Sequence, residues 1–263
     1  MNTKPYIGIT GPITIQEAKR ITEEFADAGY TMQSSHVPML GFLVSEKTLH
    51  GQPTKNRRYP PINSLSALLK STSGKVLNMI HYNSRQRDEL ATQVAQIFRE
   101  IYEVGLCRAL QLNIVWPDIS QVQRIKEEHP EIKIVFQASH KSIDGNTPTQ
   151  LARKIGNYGN SIDYILIDPS GGRGMSFDLA TVSPIYRELR SKLPEINLGF
   201  AGGFTGQNVG PRVREIIEEI REETFCIDAE GGLRDKITDN YGDDTLNIEK
   251  VRMYVQETST VLR

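Results

Sequence analysis

Only two cysteines, Cys107 and Cys226, occur in the 263 residues. Two cysteines build no disulfide framework and supply no metal-ligand spacing, so a reduced, cytoplasmic setting without a metal is expected. Long apolar runs are missing too. No stretch approaches the roughly 20 apolar residues a membrane-spanning helix needs. The opening MNTKPYIGIT has no basic stretch followed by an apolar core, so no secretory signal is expected. Charge of one sign is lacking as well: 31 basic residues face 32 acidic ones, for a net charge of -1. That balance argues against a nucleic-acid or membrane partner, while leaving room for a small basic pocket. No Pro/Ser-rich linker or shift of composition divides the chain, so residues 1–263 read as one domain. At 38% hydrophobic and 24% charged, it has the composition of a protein with an ordinary core.

What is present alternates. Eight short, apolar runs read as buried strands: Tyr6–Ile9, Leu40–Val44, Lys75–Ile80, Ala109–Ile114, Lys133–Gln137, Tyr164–Ile167, Leu198–Ala201 and Phe225–Ile227. Longer amphipathic stretches follow most of them. Thr14 and Glu17 have the spacing of a capping box opening a helix to Ala28. Thr147-Pro148-Thr149-Gln150 adds proline at the first helical position. Ser84–Val104, Val213–Arg221 and Leu246–Val261 carry apolar residues at helical spacing, whereas Leu65–Leu69 allows only a short helix. Glu46–Asn63 reads as a long loop, and Tyr30–Pro38 as an extra segment. Eight strand–helix repeats predict a single (β/α)8 barrel, since an open doubly wound sheet usually has fewer strands.

Such a barrel places its site at the carboxyl ends of the strands. The last three loops there are rich in glycine, which lets backbone N–H groups approach a ligand. Asp168 is followed by Gly171-Gly172-Arg173-Gly174, strand seven by Gly202-Gly203, and strand eight by Asp228-Ala229-Glu230-Gly231-Gly232. Glycine pairs after the last two strands are a phosphate-binding pattern in this fold. The expected phosphate ligands are Gly172, Gly202, Gly203, Gly231 and Gly232, with Arg173 and Arg234 near enough in sequence to neutralise charge. Turns without a ligand are the alternative reading of each pair.

These same segments resemble phosphoribosylanthranilate isomerase. That family shows an Asp-ending strand, Gly-Gly-x-Gly-x-x-Phe-Asp, and Ala-Gly-Gly-Leu-x-x-x-Asn-Val; here Asp168–Asp178 and Ala201–Val209 are similar. Gly8-Ile9-Thr10, Gly41-Phe42, Arg58-Tyr59, Gln111-Leu112 and Asp228 with Gly232 extend the likeness over nearly the whole chain, with insertions around Tyr30–Pro38 and Glu46–Asn56. The resemblance implies a ribulose-phosphate-binding type of TIM barrel and an Amadori rearrangement of a phosphorylated aminoaldose. It gives Asp168 the role of the acid that opens the sugar ring, a role needing a carboxyl that holds a proton near pH 7. It gives Arg58 the role of holding a substrate carboxylate through paired hydrogen bonds. Asp228 falls among the substrate-binding positions, with Arg173.

One departure bears on the chemistry. The family's base is a strand-one cysteine in Lys-Ile-Cys-Gly-Ile-Thr, and this chain reads Tyr6-Ile7-Gly8-Ile9-Thr10, with Ile7 at the thiol position. Asn113 replaces the family's strand-four histidine. His81, after strand three, and His140, after strand five, are candidate replacement bases because imidazole titrates near neutrality; hydrogen-bonded histidines of the rim are the other reading. Two functions stay open: an isomerase of a small phosphorylated sugar derivative with Asp168 and His81 as catalytic groups, or a non-catalytic phosphosugar-binding barrel. No cofactor is expected in either case, and the chain is expected to be a monomer or homodimer.

Overall fold

The computed structural model describes residues 3–99, 101–170 and 178–262. Every expected strand is present: β1 (Tyr6–Thr10), β2 (Val37–Ser45), β3 (Leu77–Asn83), β4 (Ala109–Leu112), β5 (Lys133–Ser139), β6 (Tyr164–Asp168), β7 (Asn197–Ala201) and β8 (Cys226–Ala229). Neighbours in sequence pair in parallel, and β8 returns to β1 through Ile7↔Ile227 and Gly8↔Asp228, so the sheet is a closed eight-stranded TIM barrel. Around it lie α1 (Ile15–Asp27), α2 (Glu46–Leu49), α3 (Leu65–Thr72), α4 (Leu90–Phe98), α5 (Ile119–Glu128), α6 (His140–Ile143), α7 (Pro148–Gly156), α8 (Leu179–Lys192), α9 (Val209–Ile220) and α10 (Ile248–Ser259). Both expected capping boxes form, Thr14 with Glu17 and Thr147 with Gln150.

Two helices are shorter than their periodicity suggests. The segment from Ser84 becomes helical in earnest only at Leu90, because the Ser84 hydroxyl accepts the Gln86 N–H in a local turn that competes with the helix. At its far end Ile101 is still buried, but Val104 is 67% exposed. The segment expected to become helical at Leu246 instead begins in a small antiparallel hairpin, β9 (Arg234–Lys236) with β10 (Asp244–Leu246). α10 starts only after Asn247, whose side chain accepts the N–H groups of Glu249 and Lys250. This hairpin is an insertion between β8 and α10, and it reaches over the mouth of the barrel.

The core has two shells. Ile7, Ile9, Leu40, Phe42, Ile80, Ile165 and Ile227 belong to the outer one, between strands and helices. Tyr6, Met39, Met79, Ala109, Val135, Tyr164, Leu166 and Cys226 fill the barrel interior. The two sets alternate along each strand, as the pleat requires. Three glycines make room inside. A Cβ on Gly8 would lie 2.5 Å from Met39 and 2.7 Å from Asp228, and one on Gly41 would lie 2.6 Å from His81. A Cβ on Gly199 would meet Cys226 at 2.6 Å.

Candidate functional site

Following the inward positions upward explains why the site lies where it does. On β6 the inward sequence runs Tyr164, Leu166, Asp168; on β8 it runs Cys226, Asp228; on β5 Val135, Gln137; on β4 Ala109, Gln111; on β3 Met79, His81. Each strand therefore changes from apolar to polar within two residues as it approaches its carboxyl end. The polar ends line a pocket with Gly202, Gly203, Gly231 and Gly232 on one side. Its free central volume is about 50 Å³, enough for about four waters at ~10–15 Å³ each.

The loops after β7 and β8 form that glycine side. Gly202 and Gly203 have φ of 115° and 67°, values that L side chains rarely adopt. The Asn208 side chain donates to the Gly203 carbonyl and accepts the Thr205 N–H, which fixes the turn ahead of α9. Gly232 meets a different requirement: a Cβ there would come within 2.1 Å of the Phe204 carbonyl oxygen. The two loops are thus locked against one another through a glycine contact. Of the five glycines expected to bind phosphate, these four come together, while Gly172 lies outside the described residues, as does Arg173.

Among the described residues, three carboxylates face the pocket in different environments. Asp168 accepts hydrogen bonds from the Gln137 amide (2.6 Å) and from the Ser170 N–H and hydroxyl (3.1 and 2.7 Å). Asp228 is buried under the Thr10 hydroxyl, which donates to it at 3.1 Å. Burial, and then the nearby charge of Glu230, hold the Asp228 carboxyl well above the usual carboxylate range, against the pull of Thr10. Burial also raises Glu230, with the Arg58 guanidinium opposing it. Composition and motifs did not single out Glu230. Its place two residues after Asp228, continuing the inward alternation, was the available signal. His81 is 3% exposed, and burial lowers its pKa to about 3. Its Nε2 has no hydrogen-bond partner among the described residues. At neutral pH this imidazole is uncharged and binds a proton weakly.

Arg58 is not free for a ligand carboxylate. It is 4% exposed, donates to Asp244 through Nε (3.1 Å) and Nη2 (2.5 Å), and donates to Glu230 through Nη1 (2.6 Å). Arg234 approaches the same Asp244 at 3.1 Å and donates to the Gly11 carbonyl at 2.6 Å. The Arg58 guanidinium also lies 4.8 Å from the centre of the Tyr241 ring, and Tyr241 lines the pocket from the hairpin tip. The Arg57 N–H donates to the Gly242 carbonyl, so the long loop after β2 and the hairpin meet above the pocket. No local pattern in the sequence signals this contact, which joins residues 172 to 186 positions apart.

No thiol faces the pocket. Ile7 belongs to the outer shell, so its side chain packs against helices, and the inward neighbours on β1 are Tyr6 and Gly8. Cys107 and Cys226 are buried, and burial pushes the Cys107 thiol up to about 12. His140 and Lys141 are exposed and line a groove beside the pocket, not the pocket itself. Trp116 packs on Phe136 with ring centres 5.6 Å apart, away from the pocket. Among the described residues, no group of His, Cys, Asp and Glu could hold a metal ion, and no helix is long and apolar enough to cross a membrane.

No protein-family model matches the chain, and no curated protein matches it. Solved structures do. Phosphoribosyl anthranilate isomerase from Thermotoga maritima is similar at a TM-score of 0.62 and 16% identity, covering 97% of this chain and 99% of that one. TrpF from Jonesia denitrificans is similar at 0.61 and 16%, with 98% of each chain covered. A phosphoribosyl anthranilate isomerase in complex with reduced 1-(o-carboxyphenylamino)-1-deoxyribulose 5-phosphate follows at 0.60 and 15%, covering 97% and 99%. The catalytic domain of a chitinase from Pyrococcus furiosus matches at 0.58 and 12%. The likeness shows a TIM barrel resembling phosphoribosyl anthranilate isomerase in its fold, and fold alone does not carry an activity.

Proposed function

We propose that this barrel binds a small phosphorylated sugar derivative and isomerises it between aldose and ketose forms, with carboxylates in place of a thiol. The phosphate sits against the backbone of Gly202, Gly203, Gly231 and Gly232. The observation that carries the reading is a pair of carboxyl groups in contrasting environments beside a glycine-built cup. Asp228, buried next to Glu230, is pushed toward its protonated form and serves as the acid at the sugar ring oxygen. Asp168, surrounded by the donors of Gln137 and Ser170, serves as the base that removes the C2 proton. Protonation of the ring oxygen breaks its bond to C1 as the C1 hydroxyl gives up its proton, leaving the open-chain aldehyde. The C2–H electron pair then becomes the C1–C2 double bond while the C1=O π pair moves to O1 and takes a proton, and return of a proton to C1 with loss of the O2 proton gives the C2 ketone. One carboxyl held toward its protonated form beside a second carboxylate that can accept a proton suits acid–base work. His81 enters as a neutral hydrogen-bonding group. A cytoplasmic location goes with the same reading.

The second reading, a non-catalytic phosphosugar-binding barrel, is favoured by the engagement of Arg58 and by the small free volume under Tyr241. Incubation with aldose 5-phosphates in D2O separates the two. Isomerisation puts deuterium on the C1 or C2 carbon, read by NMR, and Asp168→Asn or Asp228→Asn should each lower the rate about 10²–10⁴-fold. Tight binding lost in Gly203→Val, with no exchange in the unsubstituted protein, selects the non-catalytic barrel. No binding of any aldose or ketose phosphate refutes both.

A further inference from the structure

Two buried polar atoms on the pocket wall are left without a partner. Among the described residues that line the pocket, these are His81 Nε2 and Gln111 Oε1, and both residues are only 3% exposed. Buried polar groups are nearly always hydrogen-bonded, because losing water without gaining a partner costs stability. His81 and Gln111 are register partners on β3 and β4, so they stand side by side on the inner wall. Glycine keeps the space beside the imidazole open: a Cβ on Gly41 would lie 2.6 Å from Nε2.

The network behind these atoms decides what each can take. Gln137 Nε2 donates to Asp168 at 2.6 Å, and Gln111 Nε2 donates to Gln137 Oε1 at 3.5 Å. Turning the Gln137 amide over would set its oxygen against a carboxylate oxygen, and turning the Gln111 amide over would oppose two amide oxygens. Asp168, as the base, therefore fixes both amides, and Gln111 presents an acceptor to the pocket. His81 differs. Burial keeps its ring uncharged at neutral pH, so one ring nitrogen carries a hydrogen that it can donate. A donor beside an acceptor matches an α-hydroxyaldehyde, whose carbonyl oxygen accepts and whose neighbouring hydroxyl donates. A phosphate or carboxylate group, which only accepts, would leave Gln111 unpaired.

We infer that His81 and Gln111 together hold the reacting end of the substrate: the Nε2–H of His81 donates to the C1 oxygen, and Oε1 of Gln111 accepts from the C2 hydroxyl. The substrate is then an aldose phosphate with a free hydroxyl at C2. As the C1=O π pair moves onto O1, the hydrogen bond from Nε2 faces growing negative charge and strengthens, while its proton stays on the ring. This rests on the isomerase reading above, and the experiment lets the two fail separately. Isothermal titration compares three probes: ribose 5-phosphate, 2-deoxyribose 5-phosphate, and 4-phosphoerythronohydroxamate, whose hydroxamate carries the charge of an enediolate. The hydroxamate should bind at least about tenfold more tightly than ribose 5-phosphate, and ribose 5-phosphate at least about tenfold more tightly than its deoxy analogue. His81→Phe should erase the first preference and His81→Gln, which keeps an N–H, should restore part of it. Gln111→Leu should erase the second. A merely structural role would weaken all three probes alike and leave both ratios intact. The order of affinities in the unsubstituted protein tests the pair even where a variant does not fold. Equal affinity for the three probes, or ratios that survive His81→Phe and Gln111→Leu, overturns the pair and leaves the cup standing, provided Gly203→Val weakens all three. Ratios lost in those variants but indifferent to Gly203→Val support the pair and overturn the cup. The expected order with no deuterium exchange into ribose 5-phosphate supports the pair as a binding subsite and overturns the isomerase. Binding of none of the probes overturns both.

Discussion

Removing the Asp244 carboxylate should be among the most damaging single changes near the mouth of this barrel. Asp244 lies between two guanidiniums, those of Arg58 and Arg234, and the three side chains are 7%, 5% and 3% exposed. In Asp244→Ala, Arg58 keeps Glu230 at 2.6 Å, but Arg234 keeps only the Gly11 carbonyl. Burial already lowers the pKa of Arg234 despite Asp244, so the loss leaves a buried charge without compensation. Breaking a buried pair in this way costs about 3–5 kcal/mol. For a chain of this size each kcal/mol moves Tm by roughly 2–4 °C, so the expected drop is about 6–20 °C. The control is on the same hairpin: Arg57 pairs with Asp243 at 3.5 Å, with the arginine 60% exposed. Arg57→Ala should cost no more than about 1 kcal/mol, because solvent screens such pairs. Urea unfolding at pH 7 with a thermal melt measures both. A loss below about 1 kcal/mol for Asp244→Ala, or one equal to that of Arg57→Ala, would refute the view that this triad is desolvated. A further variant, Arg58→Met/Asp244→Leu/Arg234→Met, should recover much of the loss, since apolar replacement of a whole buried ionic group is often neutral.

Other outcomes follow from the same geometry. His81 is neutral when folded down to about pH 3, against 6.5 when unfolded; below pH 6.5 the unfolded chain binds the extra proton, so stability falls toward pH 3, by about 5 kcal/mol in all. His81→Gln should flatten that decline in urea titrations between pH 4 and 8. Asp228 acts in the opposite direction: its raised pKa makes the folded state the better proton binder, so its penalty is relieved as pH falls. Asp228→Asn should therefore raise Tm at pH 7 and weaken the pH dependence from that side, and a lowered Tm would refute this. Gly232→Ala should separate the loops after β7 and β8, since its Cβ would lie 2.1 Å from the Phe204 oxygen; a loss of about 1–3 kcal/mol is expected, with weaker phosphate binding by titration. Ile7→Cys should yield a thiol that reacts with a disulfide reagent only on unfolding, because the side chain faces the helices, and rapid labelling of the native protein would contradict the inward/outward assignment.

The strands and the barrel were written into the sequence for a simple reason. Residues such as Ile165 and Leu166 are buried on opposite faces, one against helices and one inside the barrel, so β6 had to be a continuous apolar run. The capping boxes were equally local, since Thr14 and Glu17 need only each other and the backbone between them. The glycine pair after β7 was legible as a tight turn for the same reason: a positive φ at Gly202 and Gly203 is a property of the chain itself. What depended on three dimensions was the direction and partnership of side chains. Ile7 matched the position of a family thiol by its neighbours, yet the strand's pleat turns it outward and gives the inward place to Gly8. Arg58 matched a carboxylate-binding arginine, yet a hairpin closing from 186 residues away supplies its carboxylate from within the protein. Burial decided the ionisation of His81 and Asp228, which no spacing encodes, because desolvation depends on every atom packed around the group. Local signals determined the scaffold and the glycine turns; only the folded barrel decided which charges pair with one another and which face solvent.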